Sequence, residues 1–317
     1  MNNFPLVTVI VITYNSSEYV LETLESVFHQ TYQNIEIIVA DDCSQDNTVE
    51  ACRKWRERHV NLGKTIKIIE ASINTGVSGN CNRGLRESKG EWIKVIAGDD
   101  MLAPDAIEAF VSYVLSHPEV KHLRGGAVHF TGKLTDDDLR NPDKISQFYY
   151  REEMTARDQF KIISKVFFGS GPAYFINANA LRELGGFDER FYMQEDYPLF
   201  IKMIGKGYKM MYLDHVVVYK RIVPTSLQYN KNKGDIFSKN RVRAIMEWKY
   251  EYKREALGFV WRMLLTYSLL VQKGIILTGN SYNKWKSRLL YYFFVLTDPF
   301  VWYGRYISYR KKRFLSN

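Results

Sequence analysis

The chain has 317 residues, 46% hydrophobic and 15% aromatic, which suffices for a buried core and excludes a disordered or low-complexity protein. Its net charge of +9 is unevenly placed: residues 231–317 hold 18 Lys/Arg against 5 Asp/Glu, whereas residues 1–230 hold 26 against 30. Cys43, Cys52 and Cys81 lack CxxC spacing, which excludes a disulfide framework or zinc signature and suits a reducing compartment.

The N-terminus, Met1-Asn2-Asn3-Phe4-Pro5, lacks the basic start of a signal peptide, so a cytoplasmic location is expected. Val7–Ile12 reads as a first strand, followed by an amphipathic helix near 18–30 with apolar Val20, Leu21, Leu24, Val27 and Phe28. A strand at 35–40 comes next. Asp46-Asn47-Thr48 offers helix caps, with Glu50 three residues after Asn47, for a helix running to about His59. Strands at 66–69 and 92–97 and helices near 78–87 and 105–116 complete a βαβα rhythm. That rhythm predicts an α/β fold with a doubly wound, mainly parallel sheet.

The middle is less regular. Residues 131–150 are polar and Asp-rich and read as a loop or excursion; 155–167 read as a helix, 173–176 as a short strand, 195–206 as a helix and 216–219 as a last strand. After about Gln228 the sequence is basic and aromatic, with helices expected over 235–278 and 282–296. The organisation expected is residues 1–228 as a catalytic domain, divided into halves 1–100 and 101–228, followed by an extension over 229–317. No uninterrupted apolar stretch reaches the length of a membrane-spanning helix; the nearest, Leu289 to Tyr303, is broken by Asp298-Pro299.

Three pairs of adjacent carboxylates carry the chemistry: Asp41-Asp42, Asp99-Asp100 and Glu195-Asp196. The first two follow apolar runs that read as buried parallel strands. In open α/β sheets ligands bind outside the carboxyl ends of the strands. A like-charge pair there needs a cation or hydrogen-bond donors. Asp99 and Asp100 suit Mg²⁺ or Mn²⁺ bridging to a pyrophosphate; alone, the pair is also consistent with a solvated turn. Asp42 is placed to accept the N–H of a base, with Thr13, Tyr14 and Asn15 at the end of the first strand beside it; helix capping is the alternative for Asp41 and Asp42. Residues 74–84 form a glycine-punctuated turn into a helix, which lets backbone approach a phosphate. Glu195-Asp196 at a helix start is suited to deprotonating an acceptor hydroxyl, or simply to complementing the helix dipole. The six histidines are scattered: His29, His59, His117 and His122 are expected on helix faces or ends, and His215 just before a strand.

Together these segments resemble the glycosyltransferase family 2 catalytic domain with the GT-A fold, over roughly residues 5–225. Val9–Asn15 resembles the family's opening strand, and Ser26–Tyr32 its "S-x-x-x-Q-T/S-Y" helix end. Asp41–Thr48 is similar to "DDGSxDxT", and Gly185–Glu189 followed by Glu195-Asp196 to "GGFDE…ED". The resemblance implies an inverting, single-addition hexosyl transfer from a nucleotide-diphosphate sugar, usually a UDP-sugar, to a hydroxyl of a glycan or lipid-linked saccharide. It implies donor contacts from Thr13, Tyr14, Asn15, Asp42, Asn74, Gly76, Arg83 and Asp99. It also implies metal contacts from Asp99 and Asp100, and a general base at Asp196 beside Glu195. The sequence departs from the family at Ala97, where the first Asp of D-x-D-D is usual, at Cys81, where Arg is common, and over Tyr219–Val223, which holds no His. Ala97 also suits a non-catalytic nucleotide-sugar-binding or scaffold subunit. A sugar nucleotidyltransferase would need a glycine-rich basic loop after the first strand, and Thr13–Ser17 is not one.

The extension combines Lys/Arg with Trp248, Trp261, Trp285 and Trp302 and closes on Arg310-Lys311-Lys312-Arg313. Such a segment suits an anionic membrane surface at the inner face. Equally, it could pack as a lid on the catalytic domain or on a second subunit in a homodimer. No nucleic-acid-binding module surrounds the charges, so nucleic acid is not an expected partner.

Overall fold

The computed structural model describes residues 4–59, 61–140, 148–166, 171–191, 194–223, 234–247 and 250–315. Two compact units are present: Met1–Gln159 with Gly169–Ile222, and Phe160–Phe168 with Val223–Asn317. The expected boundary at 228 and Trp248 lie outside the described residues.

The first unit is an α/β layer structure around one eight-stranded sheet. The strands are β1 (Val7–Thr13), β2 (Ile35–Asp41), β3 (Thr65–Glu70), β4 (Trp92–Ala97), β5 (Met101–Leu102), β6 (His122–Phe130), β7 (Tyr174–Asn177) and β8 (Met210–Arg221). They lie in the order β3-β2-β1-β4-β7-β6-β8-β5. Pairs β1–β2, β1–β4, β2–β3 and β6–β8 are parallel; β4–β7, β6–β7 and β5–β8 are antiparallel. Its helices are α1 (Val20–Phe28), α2 (Thr48–His59), α3 (Gly76–Glu87), α4 (Ala106–Ser116) and α5 (Asp136–Leu139), then α6 (Ala156–Ile163), which runs on into the second unit, α7 (Ala178–Glu183) and α8 (Asp196–Gly205).

The unbroken apolar runs form strands buried on both faces, as a sheet covered by helices requires. Val7, Val9 and Val11 pack in one cluster with Leu24 and Val27 of α1, Trp55 of α2 and Phe110 of α4. Ile10 points the other way: a Cβ on Gly84 of α3 would sit 2.4 Å from its Cγ2, so only glycine admits that approach. Phe175 of β7 is stacked between Trp92 and Phe110, with centroids 4.9 and 4.8 Å away.

The sequence reading missed β6. Its His-Leu-Arg-Gly-Gly-Ala pattern has neither helical nor strand periodicity, because the strand is shaped by backbone contact. A Cβ on Gly125 would lie 2.6 Å from Val217 side-chain carbons, and the register to β8 shifts between Arg124 and Gly126. His122 consequently lies on a strand, fully buried against Phe200, and not on a helix face. The last strand is also much longer than 216–219, because β6 supplies it with a partner along nearly its whole length.

The second unit is helical: α9 (Lys239–Met246), α10 (Glu251–Ala256), α11 (Phe259–Leu277), α12 (Trp285–Thr297) and α13 (Pro299–Leu315). The expected helix over 235–278 is thus three helices, with Gly258 as the N-cap of α11. At 19 residues α11 is long and apolar enough to cross a membrane by length and composition alone, with 28% of its most apolar window buried. This corrects the expectation that Leu289–Tyr303 is the nearest such segment; Asp298 ends α12 and accepts from the Phe300 and Val301 amides at the start of α13. Buried Gln272 of α11 accepts from Arg241 of α9.

Candidate active site

The register sets the site. Thr13 is level with Asp41, and Ile12 with Ala97, so β1, β2 and β4 end at one edge. The chain runs β1, β2, β3 outward on one side of β1 and then returns to place β4 on the other. Connections leaving β1 and β4 therefore diverge, and open α/β sheets take ligands at such a switch point.

Asp41 and Asp42 end β2, buried, with opposite tasks. Asp41 accepts from Thr13 Oγ1 at 2.7 Å and from the Ser44 amide and hydroxyl, tying the β1 end to the β2 loop. Asn15, at φ 50°, accepts from the Gln45 amide and donates its own N–H to Ser44 Oγ. Tyr14 between them is 46% exposed. Asp42 turns to the start of α3, where its carboxylate accepts from the Thr75 amide and hydroxyl, the Gly76 amide at 2.7 Å and Arg83 Nη2 at 3.2 Å. The helix N-terminus that the glycine pattern offered to a phosphate thus holds this chain's own carboxylate, which satisfies orphan N–H groups as an external anion would. Gly76, at φ 79°, makes that approach, and Asn74 Oδ1 accepts from the same amide at 3.2 Å. Arg83 also donates to the Asp41 carbonyl and to Asn80 Oδ1, and Asn80 in turn donates to the Ala40 carbonyl.

Asp99 and Asp100 follow the Gly98 turn, whose amide donates to the Ile12 carbonyl. Burial pushes both carboxyls up, Asp100 to about 7 with the Asp99 charge adding to the effect. The turn is braced by Arg221. Its amide donates to Asp100 Oδ1 at 2.9 Å, its Nε to the Asp99 carbonyl and its Nη2 to Glu22, while its guanidinium lies between the Tyr19 and Phe130 rings. The family's absent His thus leaves a strand end at which Lys220 and Arg221 serve this turn. Beneath it, in β4, Lys94 is fully buried and donates to the Val95 and Pro172 carbonyls; burial pulls its ammonium down to about 7.

Glu195 and Asp196 begin α8, half-buried. Asp196 Oδ1 accepts from the Tyr197 amide at 2.7 Å. Burial raises both carboxyls, Glu195 to about 8 with the Asp196 charge as the second cause. Lys220 lies close enough to oppose that rise at all four acids, Asp99, Asp100, Glu195 and Asp196. The second and third carboxylate pairs therefore share one electrostatic neighbourhood. Cys81 is buried between the Asp42 and Asp196 fields, with its thiol pushed well up by burial, and is inert.

Asn82, which the sequence reading did not single out, joins α3 to the loop before Glu195. Its Nδ2 donates to the Phe187 carbonyl and its Oδ1 accepts from the Phe187 amide, both at 2.8 Å. Gly186, at φ 76°, is required there, since a Cβ would meet Asn82 Oδ1 at 2.5 Å. Ser78 donates to the Phe191 carbonyl from the same helix. Asp188 is held below the usual carboxylate range by its hydrogen bonds from Arg190 and is paired with Lys202 as well. A single Asn on a helix gives no periodic signal, and only the position of the loop reveals the role. Replacing Asn82 with Ala removes both Phe187 bonds and is expected to cost about 1–3 kcal/mol, read as a lowered Tm. An unchanged Tm would contradict the clamp.

Among the described residues no group of three or more His, Cys, Asp or Glu side chains forms a cation cage. Asp99 and Asp100 nonetheless fit a divalent ion: two adjacent oxygen ligands, both raised by burial, match the one or two carboxylates with which Mg²⁺ or Mn²⁺ is held beside substrate phosphates.

A family model described as glycosyl transferase family 2 matches residues 8–185, more than half of the chain. An uncharacterized glycosyltransferase of Haemophilus influenzae is 40% identical over 114 residues, which is 36% of this chain and 34% of that relative. This chain thus spans about a third of that protein. A second uncharacterized glycosyltransferase of the same organism is 24% identical over 283 residues, 86% of this chain and 98% of its own length. The crystal structure of S. aureus TarS 1-349 in complex with UDP-GlcNAc superposes with a TM-score of 0.60 at 19% identity, over 92% of this chain and 81% of that one, a likeness of fold. With the switch-point edge and the three carboxylate pairs in place, the chain belongs to glycosyl transferase family 2.

Proposed function

We propose that the chain transfers a hexosyl unit from a UDP-sugar to a hydroxyl of a glycan or lipid-linked saccharide, with inversion and one addition per encounter. The observation that carries this reading is the pairing of two raised carboxylate pairs, Asp99-Asp100 and Glu195-Asp196, about the common cation Lys220. The uracil lies over Tyr14 and Asn15 at the β1 edge with the Thr13 backbone beneath. Asp42 takes the base N–H when the donor displaces one of its intramolecular hydrogen bonds. Asn74, Gly76 and Arg83 line the donor side. Asp99 and Asp100 would hold Mn²⁺ or Mg²⁺, which would supply Lewis-acid stabilisation to the departing diphosphate.

Asp196 takes the proton of the acceptor hydroxyl as the oxygen bonds to the anomeric carbon, and the bond from that carbon to the donor phosphate oxygen breaks with its electron pair. Glu195 beside it raises the basicity of the pair by charge repulsion. Residues 101–228 form the acceptor half, and the extension over 229–317 brings the enzyme to the inner face of the membrane, where a lipid-linked acceptor is met. Supporting the UDP choice is the donor in the TarS complex. Ala97 favours a second reading, a non-catalytic donor-binding subunit.

The deciding experiment is binding and hydrolysis of UDP-, GDP- and dTDP-sugars with and without Mn²⁺. Metal-dependent turnover of one donor supports the enzyme; binding without turnover in the presence of acceptor supports the subunit; no binding sinks both. The raised Asp196 carboxyl carries a pH signature. A base works deprotonated, so log kcat is expected to rise with pH through a midpoint above the ordinary Asp value of about 3.9 and then to level off. The two acids titrate as a pair, so that midpoint belongs to both. A rate flat from about pH 5 upward would remove Asp196 from the base role.

A further inference from the structure

Among the described residues, large apolar side chains are left exposed mainly in the helical unit: fourteen of the twenty-one lie between Met246 and Tyr309. They are ordered. On α12, Trp285, Leu289, Tyr292 and Leu296 recur at spacings of four, three and four, which places them on one face of a helix, and each is 55–65% exposed. The stripe continues into α13, because Trp302 Nε1 donates to the Leu296 carbonyl at 2.7 Å. Trp302, Tyr306 and Tyr309 then repeat at four and three, again half or more exposed.

The charge beside this face has one sign. Residues 257–317 contain ten Lys/Arg and a single acid, Asp298, which is 1% exposed and caps α13. Lys286 and Arg288 flank the α12 stripe, exposed, and Arg305 and Arg310 flank the α13 stripe. A second copy of the chain laid on this face would bring like charges together with no acid to meet them. An anionic lipid surface meets both features, accepting aromatic and aliphatic side chains at the acyl boundary and Lys/Arg at the headgroups. The partner helix α11 presents its buried side, including Gln272 held by Arg241, to its own unit. This favours a unit lying on the membrane over one crossing it.

We propose that the Trp285–Leu296 face of α12, continued by Trp302, Tyr306 and Tyr309 of α13, is an interfacial docking surface for anionic phospholipid. This deepens the membrane-facing part of the proposed function. Vesicle binding is measured without donor, so its failure leaves the transfer reaction standing.

The test is flotation of the full chain with vesicles of phosphatidylcholine alone or mixed with phosphatidylglycerol, at low and high salt. Binding is expected only to the anionic vesicles and is expected to weaken with salt. Lys286→Gln with Arg288→Gln is expected to weaken it on the order of thirtyfold, and Leu289→Asp with Leu296→Asp to abolish it. Far-UV circular dichroism and melting curves confirm that each variant is folded. No binding to anionic vesicles at low salt overturns the proposal, as does binding unaffected by either folded variant. Equal binding to both vesicle types overturns it too, and so does a concentration-dependent dimer that Leu289→Asp with Leu296→Asp disperses while vesicles are ignored.

Discussion

Asp196→Asn is expected to lower kcat by about 10²–10⁴ while leaving the donor Kd within about threefold. The amide keeps the size of the carboxylate and an oxygen able to accept from the Tyr197 amide, so the start of α8 keeps its shape. What it loses is the capacity to take a proton. The change also removes one of two adjacent half-buried charges, so Glu195 should ionise more readily, and the folded protein should be no less stable. Single-turnover transfer with a saturating donor, together with donor titration by calorimetry, separates the two quantities. A loss of donor binding equal to the loss of rate would place Asp196 on the donor instead, and an unchanged kcat would end its role as base.

Asp100→Ala is expected to act on the other half of the reaction, weakening metal-supported donor binding by about 10²-fold or more and cutting kcat/KM at least as far. The variant should keep its fold: the Arg221 amide loses an acceptor, while Arg221 keeps the Asp99 carbonyl, Glu22 and its two rings. Stability carries a sign that identifies the carboxyl. Asp100 is raised to about 7 in the folded protein, so the apo form gains stability from its protonation at low pH and loses it as pH climbs from about 4 through about 7. Asp100→Ala removes that loss, so the apo variant should melt higher relative to the parent near neutral pH than in acid. Mn²⁺ with UDP should restore the parent and leave the variant unmoved. Equal stabilisation of both by metal and nucleotide would remove Asp100 from the metal site.

The parent sheet was legible because its strands are buried on both faces and so read as unbroken apolar runs: β1, β2 and β4 lie within a residue or two of where Val7–Ile12, Ile35–Ala40 and Trp92–Ala97 put them. The positions of the first two carboxylate pairs were legible for a related reason, since they follow directly on such runs. β6 was not legible, because Gly125 and Gly126 answer to β8 across the sheet and to nothing nearby in sequence. Asp42 shows the same limit from the other side. Its place at the strand end could be read, whereas its engagement by Thr75, Gly76 and Arg83 arises from a helix start more than thirty residues away. Lys220 and Arg221 were noticed for the His they lack; their service to the Asp99-Asp100 turn depends on β8 running far enough to reach it.

Helix α3 holds Asp42 through Gly76 at its first turn and the Phe187 loop through Asn82 six residues later. At about 1.5 Å per residue, those six residues are a ruler about 9 Å long between the end of β2 and the loop leading to Glu195-Asp196. A ruler made of helix reads in whole residues only. One residue more or less between Gly76 and Asn82 would turn the second grip through about 100° and release the loop, so this interval is closed to insertion and deletion.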